Sequence, residues 1–255
     1  MIESSRDAMA PSAVSPDEGA MRGRLAARPW QPRPPRPLPP GEHPLGLATG
    51  RDGVLYVPAS YRPERPAPLL LCLHGARSAG SRSVLALREP AERHGLLLLA
   101  PDARAVTWDI LRGGYGPDVA FIDRALTLVF ARCAVDPTRV GIEGFSDGAS
   151  YALTLGLDNG DLFAAVLAFS PGFLAPHRPI GRPRVFVSHG RQDPVLPIQA
   201  CSRRIVPLLQ RAGYPVRYRE FDGGHTVPAD VLEEALRWFL DDSDMSSARF
   251  TRSTG

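Results

Sequence analysis

A serine between two glycines is the first feature of this chain with chemical consequences. Residues 144–148 read Gly-Phe-Ser-Asp-Gly, with Ser146 at the centre, after the run Arg139–Glu143 and before the helix-like stretch Ala149–Leu153. Glycines two residues before and after a serine allow a strand to turn sharply into a helix, where neighbouring Cβ atoms would otherwise clash. The pattern predicts a nucleophile elbow that exposes the Ser146 hydroxyl at the carboxyl end of a strand.

A nucleophilic serine needs a base to take its proton and a carboxylate to orient that base. In chains with a nucleophile elbow, the three catalytic residues occur along the sequence in the order serine, acid, histidine. Asp193 and His225 follow Ser146 in that order. Each comes after a predicted strand, at 184–188 and 215–221, and lies in a turn or a glycine-rich loop. Since the carboxyl ends of parallel strands form the ligand-binding edge of an open sheet, we expect the three side chains to converge there.

Two other polar residues compete for these roles. Asp222 is the rival acid, but it lies only three residues before His225 and can scarcely reach round to orient the ring. His189 as the base would be too close in sequence to Asp193 and in the wrong order. We expect His189 to tether the loop that carries the acid.

Backbone amides are the best donors for the negative charge that develops on an attacked carbonyl. One is expected from Asp147, the residue after the nucleophile. A second is expected from the loop after the strand 69–73, which begins His-Gly-Ala-Arg. We predict the amide of Ala76, with Arg77 as the alternative, and we expect His74 to be a structural residue that orients this loop.

Three aromatic residues are candidates for binding substrate. Trp108 follows a predicted strand and either walls an acyl pocket or packs beneath its loop. Phe145 and Phe173 are further candidates for the pocket. The Asp147 carboxylate, beside the nucleophile, is expected to disfavour anionic acyl groups. His, Cys and carboxylate residues show no metal-ligand spacing, so we expect no metal and no cofactor.

The elements that must position these residues alternate between strand and helix patterns. Predicted strands cover 53–58, 69–73, 96–100, 139–143, 164–170, 184–188 and 215–221, and predicted helices cover 83–94, 119–133 and 228–240. The first strand is expected at an edge. The alternation predicts an α/β fold, a mostly parallel doubly wound sheet with helices on both faces. The segment 170–184 is too short for a cap domain.

Composition excludes several kinds of chemistry. All 30 basic residues are arginine, so Schiff-base catalysis and a phosphate-binding Gly-Lys-Ser/Thr loop cannot occur. The formal net charge is +3 and arginines alternate with acids, so we expect a small-molecule substrate and no nucleic acid. The sequence does not indicate an oligomeric state.

Cysteine usage and hydropathy bear on location. The three cysteines, at positions 72, 133 and 201, are odd in number and lack Cys-x-x-Cys spacing, which predicts free thiols in a reducing compartment. The first 50 residues lack the apolar stretch of a signal peptide, and no run is long enough to span a membrane. We therefore expect a cytoplasmic protein.

Both ends of the chain differ in composition from the middle. Residues 1–45 are rich in proline and arginine, which predicts a disordered leader or, as the alternative, a proline-rich docking segment. Residues 46–241 are predicted to form a single catalytic domain, and residues 242–255 a disordered tail.

With these motifs placed, the chain resembles the α/β-hydrolase superfamily, and within it the capless bacterial phospholipase/carboxylesterase group and its polyhydroxyalkanoate-depolymerase-like relatives. The resemblance covers about residues 52–240, and its carriers are Leu73-His74-Gly75, Val135–Val140, Gly144–Gly148, Phe163–Ser170, Ser188–Val195 and Gly223-Gly224-His225. It implies hydrolysis of carboxylic esters with small to medium acyl groups through an acyl-enzyme on Ser146, with Asp193 as acid and His225 as base.

Other activities of this fold are alternatives. The runner-up is a dienelactone-hydrolase-like or acyl thioesterase activity, and a different class is a catalytically silent member that binds a ligand in the crevice. Acyl-protein thioesterases resemble one another in a Gly-Leu-Gly-Asp loop and a glutamine after the nucleophile, whereas this chain has Ala76–Ala79 and Asp147 there. An intact elbow and triad favour an active enzyme over a silent one.

Overall fold

An eight-stranded sheet forms the centre of the protein. The computed structural model describes residues 16–29 and 36–241. The strands are β1 Gly41–Pro44, β2 Gly53–Val57, β3 Ala67–Leu73, β4 Leu97–Pro101, β5 Val135–Phe145, β6 Ala165–Phe169, β7 Arg184–Gly190 and β8 Val216–Phe221. The helices are α1 Pro16–Met21, α2 Gly80–His94, α3 Pro117–Arg132, α4 Asp147–Asp158, α5 Ser202–Arg211 and α6 Ala229–Leu240.

The strand order across the sheet is β1-β2-β4-β3-β5-β6-β7-β8. β2 runs antiparallel to β1 and to β4, and the strands from β4 to β8 pair in parallel. The predicted mostly parallel sheet is confirmed. The expectation that the strand at 53–58 lies at an edge is wrong, because β1 pairs alongside it, with Gly41 opposite Val57.

Helices cover both faces of the sheet, as predicted. One face packs against α3, α4 and α5 in a cluster that contains the strand residues Leu71, Ile142 and Val187. The other packs against α2 and α6 and contains Leu70 and Leu167. Because β4 and β6 are buried along their whole length, they are continuous apolar runs and do not alternate.

Predicted and observed elements agree in type, with bounds that differ by a few residues. The segment between β6 and β7 is a loop with no cap domain, as expected. We predicted no element for α5, which carries Pro207 in its interior, nor for α1, β1 and the 3₁₀ turn Asp109–Arg112. Proline and short length hide such elements from pattern analysis.

The predicted disordered leader is wrong for residues 16–29 and 36–45, which pack on the domain. Leu25 is buried, and its N–H donates to Asn159 Oδ1 at 2.9 Å. Arg24 pairs with Asp161 at 2.9 Å, and the Asp123 carboxylate accepts the N–H groups of residues 26 and 27. A buried apolar side chain and side-chain hydrogen-bond acceptors therefore hold this proline-rich segment on the domain. Residues 1–15, 30–35 and the predicted tail 242–255 lie outside the described residues.

An acidic side chain is buried on the α2/α6 face. Glu143 of β5 is 6% exposed and lies between Cys72 of β3 and Leu167 of β6 in the sheet register. Burial raises the pKa of Glu143 to about 8, and the neighbouring Cys72 thiol opposes this only in part. The carboxyl is therefore neutral at neutral pH.

The described helices include none with the length and apolar character needed to cross a membrane. The three cysteines are free and buried.

Packing of the amino-terminal segment predicts a stability effect. Leu25→Ala should lower the free energy of unfolding by about 2–5 kcal/mol, because it leaves a cavity in the core. The matched control is Leu85→Ala at a site that is 68% exposed on α2, which should change it by less than about 0.5 kcal/mol. Urea denaturation followed by tryptophan fluorescence measures both. Equal, small effects would mean that residues 16–29 do not anchor in the core.

Burial of Glu143 predicts a pH-dependent difference between the wild type and Glu143→Gln. The unfolded chain ionises this carboxyl near 4.5 and the folded chain near 8, so ionisation favours unfolding between these values. The wild type should lose about 1.4 kcal/mol of stability per pH unit across that window relative to the variant, and the difference should level off above pH 8. Denaturation curves at pH 5, 6.5, 8 and 9 measure it. A pH-independent difference would contradict a neutral Glu143.

Candidate active site

Ser146 lies in the tight turn between β5 and α4. Its backbone has φ 57° and ψ −120°, a region that non-glycine residues rarely occupy, and its N–H donates to Phe169 O of β6 at 3.0 Å. A Cβ at Gly144 would lie 2.2 Å from Gly148 O, and a Cβ at Gly148 would lie 2.0 Å from Leu73 O. Only glycine fits at both positions, as the elbow pattern predicts.

The structure brings Ser146, His225 and Asp193 together. His225 Nε2 lies 2.9 Å from Ser146 Oγ, and His225 Nδ1 lies 2.7 Å from Asp193 Oδ2. A carboxylate only accepts, so Nδ1–H donates to Asp193 and the Nε2 lone pair accepts the Ser146 O–H. The loops after β5, β7 and β8 supply the three side chains at one edge of the sheet.

The environment of Asp193 keeps it ionised. Its side chain has no exposed surface, and Oδ1 accepts the N–H groups of Val195 and Leu196 at 2.9 Å each. Burial by itself raises the pKa of this carboxyl, but these two N–H groups and the His225 ring outweigh burial and hold its pKa below the usual value. A charged Asp193 is thus fixed to accept the His225 proton.

The two rival residues lie in other positions. His189 is buried beneath the acid, with Nε2 2.7 Å from Leu196 O and 3.2 Å from Asp193 Oδ2, and Nδ1 2.6 Å from Ser202 Oγ. Burial lowers the pKa of His189, which suits a neutral ring that tethers the acid loop. Asp222 is exposed and pairs with Arg191 at 2.7 Å, on the protein surface.

The loop after β3 lies beside the elbow. A Cβ at Gly75 would be 3.6 Å from Ser146 Cβ. The Arg77 N–H donates to Val106 O at 2.7 Å, and Arg77 has a φ of 58°, whereas Ala76 is exposed. The Arg77 amide is therefore already engaged within the loops, which favours Ala76 of the two predicted donors.

His74 holds this loop in place. The Ala103 N–H donates to His74 Nε2 at 3.0 Å, so the ring proton is on Nδ1, which donates to Gly75 O at 2.8 Å. Burial lowers the pKa of His74, and the Arg51 guanidinium beside it acts in the same direction. A neutral, buried ring with both nitrogens hydrogen-bonded orients its loop.

The loop after β4 contacts both the elbow and the loop after β3. Thr107 Oγ1 donates to Asp147 Oδ2 at 2.6 Å, so the carboxylate after the serine is held against this loop. Two buried acids fold the loop: Asp118 accepts the Arg104 and Asp109 N–H groups at 2.6 Å, and Asp109 accepts the N–H of Asp118 at 2.9 Å. Residues 103–118 therefore contact both the elbow and residues 74–78 and hold them in position.

Of the three aromatic candidates, only Phe145 reaches the cavity beside the triad. Its ring packs against His225 with centroids 4.7 Å apart. The prediction that Trp108 walls the pocket is wrong, because Trp108 is fully buried, stacks on Tyr151 at 5.1 Å and donates from Nε1 to His74 O at 2.9 Å. It packs beneath its loop, which was the alternative.

Phe173 also lies elsewhere. It is half-buried in the loop after β6, where its N–H lies 3.4 Å from Ser150 Oγ. Within the described part of the chain, the lining of the cavity beside the triad does not include Phe173. Its role in an acyl pocket stays a prediction, and the Ser150 contact holds the β6 loop against α4.

The cavity beside the triad has a volume of about 280 Å³ and lies between α2, the start of α6 and the His225 loop. Sequence analysis assigned no role to the residues of α2 and α6 that line it, because their helix positions become neighbours only in the folded protein. It also missed Glu143 in the wall. A charged residue inside a buried strand was the available signal.

Among residues 16–29 and 36–241, no three His, Cys, Asp or Glu side chains come together as a metal site. A hydroxyl bonded to an imidazole and a carboxylate on the other ring nitrogen form an arrangement that is suited to acyl transfer.

Comparisons with known proteins identify similar esterases. Residues 120–241 match the family model described as Phospholipase/Carboxylesterase. Feruloyl esterase C of Emericella nidulans is 29% identical over 158 residues, which cover 58% of this chain and 57% of that protein. The chain spans about half the length of the curated relatives it matches.

Solved structures share the fold. Esterase PE8 is 27% identical, covers 75% of this chain and 100% of its own, and superposes with a TM-score of 0.61. The S-formylglutathione hydrolase FrmB of Staphylococcus aureus, at 17% identity, covers 82% of this chain and 99% of its own with a TM-score of 0.66, and shows the fold alone. The chain therefore has the α/β-hydrolase fold, and its residues 120–241 match the phospholipase/carboxylesterase family.

Proposed function

We propose that this protein hydrolyses carboxylic esters through an acyl-enzyme on Ser146. The hydrogen-bonded chain from Ser146 Oγ through His225 to Asp193 carries the proposal, with distances of 2.9 and 2.7 Å. The similarity to feruloyl esterase C and to esterase PE8 supports it. We propose esters with small to medium acyl groups, as the resemblance to the phospholipase/carboxylesterase group implies.

In the acylation step, Ser146 Oγ attacks the ester carbonyl and its proton passes to His225 Nε2. Asp193 accepts the Nδ1–H and stabilises the imidazolium that forms. The tetrahedral intermediate collapses when the carbon–oxygen bond to the alcohol breaks, and His225 gives its proton to the leaving oxygen. Water then attacks the acyl group by the same route and restores the Ser146 hydroxyl.

The oxyanion accepts hydrogen bonds from the amides of Asp147 and Ala76. Asp147 is the first residue of α4, so its N–H points out of the helix start and the helix dipole favours negative charge there. The Arg77 amide bonds to Val106 and leaves Ala76 as the second donor. Donors held in place before the reaction need no reorganisation, which makes them effective.

The Asp147 carboxylate acts against anionic substrates. It lies next to Ser146, and its contact with Thr107 fixes it near the site. A negative charge here repels acyl groups that carry a carboxylate. Neutral acyl groups are therefore the proposed substrates.

We propose that the protein works in the cytoplasm on small-molecule esters. Three free, buried cysteines support a reducing compartment. Thioesters and lactones are alternative substrates for the same chemistry, and a panel of matched ester, thioester and lactone substrates separates them by kcat/KM.

Substitution of the nucleophile is the direct test of the proposal. Ser146→Ala should abolish covalent labelling by a fluorophosphonate probe and reduce hydrolysis of p-nitrophenyl butyrate by about 10⁴-fold or more, because no nucleophile remains. The matched control is Ser81→Ala, at an exposed position on α2, which should label like the wild type. A folded wild type that does not label would overturn the proposal and leave a ligand-binding role.

Substitution of the acid separates Asp193 from its rival. Asp193→Asn should lower kcat by about 10³- to 10⁴-fold, because the amide can hold His225 in the wrong tautomer. Asp222→Asn should change kcat by less than about twofold, because Asp222 bonds to Arg191 on the surface. Steady-state kinetics with p-nitrophenyl butyrate measure both, and the opposite order of effects would reverse the assignment.

A further inference from the structure

The cavity beside the triad has mostly apolar walls. Leu73, Leu87 and Phe169 line it from the sheet and α2, and Val227 and Leu232 line it from the segment after His225. Its 280 Å³ correspond to about nine water molecules at about 30 Å³ each. Such a space suits one short portion of a substrate molecule.

Glu143 is the buried acid in this wall, whose other polar side chains, among the described residues, are those of His74, Ser78, Arg82, Ser83, His225 and Thr226. It lines the cavity yet is only 6% exposed, and its neighbours in the sheet are Cys72 and Leu167. A carboxyl in apolar surroundings is costly, and such groups recur at functional sites. Burial raises its pKa to about 8, so the group is a neutral acid with one O–H donor and free acceptor capacity.

The proposed mechanism does not use Glu143. The acid of the triad is Asp193, and the proton moves between Ser146 and His225. Glu143 shares a face of β5 with Phe145, since they are two residues apart, and the Phe145 ring packs against His225. Glu143 therefore lies in the same cavity but deeper than the reacting atoms.

The position of His225 indicates which part of a substrate enters the cavity beside the triad. His225 must give its proton to the leaving oxygen, so the alcohol portion lies on the histidine side of Ser146. His225, Thr226 and Val227 form one wall of the cavity. The cavity is thus on the alcohol side of the reacting carbonyl.

We propose that this cavity binds the alcohol portion of the ester and that the Glu143 carboxyl is a specificity-determining group, selecting alcohols that carry a neutral hydroxyl or amide on an apolar chain or ring. The inference rests on the proposed ester hydrolysis. A second hydroxyl in the alcohol can donate to and accept from the neutral acid, whereas an apolar alcohol leaves the Cys72 thiol as the hydrogen-bond neighbour of that acid.

Hydrolysis of butyrate esters tests whether the enzyme selects alcohols that carry a hydroxyl. One series uses the monobutyrates of 1,4-butanediol, 1,5-pentanediol and 1,6-hexanediol, and the other uses butyrates of alkanols with the same number of non-hydrogen atoms. All give the same acyl-enzyme, so kcat/KM compares recognition of the alcohol alone. For the wild type, kcat/KM should be about tenfold higher for the hydroxyl-bearing ester at the best-fitting length. A difference of this size corresponds to one hydrogen bond to a buried group.

Two variants of similar size separate hydrogen bonding from packing. Glu143→Gln keeps a donor and an acceptor and should retain the preference within about threefold, whereas Glu143→Leu should abolish or reverse it. A preference that is equal in the wild type and Glu143→Leu would overturn the role of Glu143. The rate of fluorophosphonate labelling shows that each variant is folded with an active serine.

A third variant tests the cavity without changing Glu143 and serves if Glu143→Leu does not fold. Ala86→Phe, on the exposed side of α2 where it lines the cavity, should reduce kcat/KM for hexyl butyrate relative to methyl butyrate by about tenfold or more. If it instead reduces hydrolysis of methyl esters with longer acyl chains, the alcohol assignment is overturned. A wild type that neither labels nor hydrolyses p-nitrophenyl butyrate overturns the proposed function itself, whereas normal labelling with unchanged ratios overturns only this inference.

Discussion

The close approach of backbone segments at the start of α4 is the constraint on which the site depends. The chain leaves β5, turns at Ser146 with a positive φ and enters α4 so tightly that Gly148 contacts the carbonyl of Leu73 on the neighbouring strand. The sheet and the helix on both sides oppose relaxation of this turn, since they are packed in the core. The hydroxyl of Ser146 is consequently held at the edge of the sheet and not within it.

The loops around the triad have little regular secondary structure, and buried hydrogen bonds hold them in position. His74 and His189 each use both ring nitrogens to tie a loop, one beside the serine and one beneath the acid. Asp109 and Asp118 do the same for the loop after β4 through backbone N–H groups. Because the hydrogen-bonded atoms of these groups are buried, breaking any one contact leaves an unsatisfied partner, which keeps the three loops in one arrangement.

Two carboxyl groups near the triad have opposite protonation for physical reasons. Asp193 has backbone N–H donors and an imidazole around it, so its charge is stabilised despite burial. Glu143 has an apolar face of the sheet and a thiol around it, so its neutral form is favoured. Environment and not residue type decides which acid carries charge, and the two acids can therefore do different work in one small space.

The sequence by itself determined the fold class, the elbow, the order of serine, acid and histidine, and most strands and helices, because glycine spacing and apolar runs are local signals. Tertiary structure decided what depends on contacts between distant residues. It buried Trp108 beneath its loop, engaged the Arg77 amide with Val106 and anchored Leu25 on Asn159. It also placed α2, α6 and Glu143 around one cavity, since burial and side-chain partners arise only when separate segments pack together.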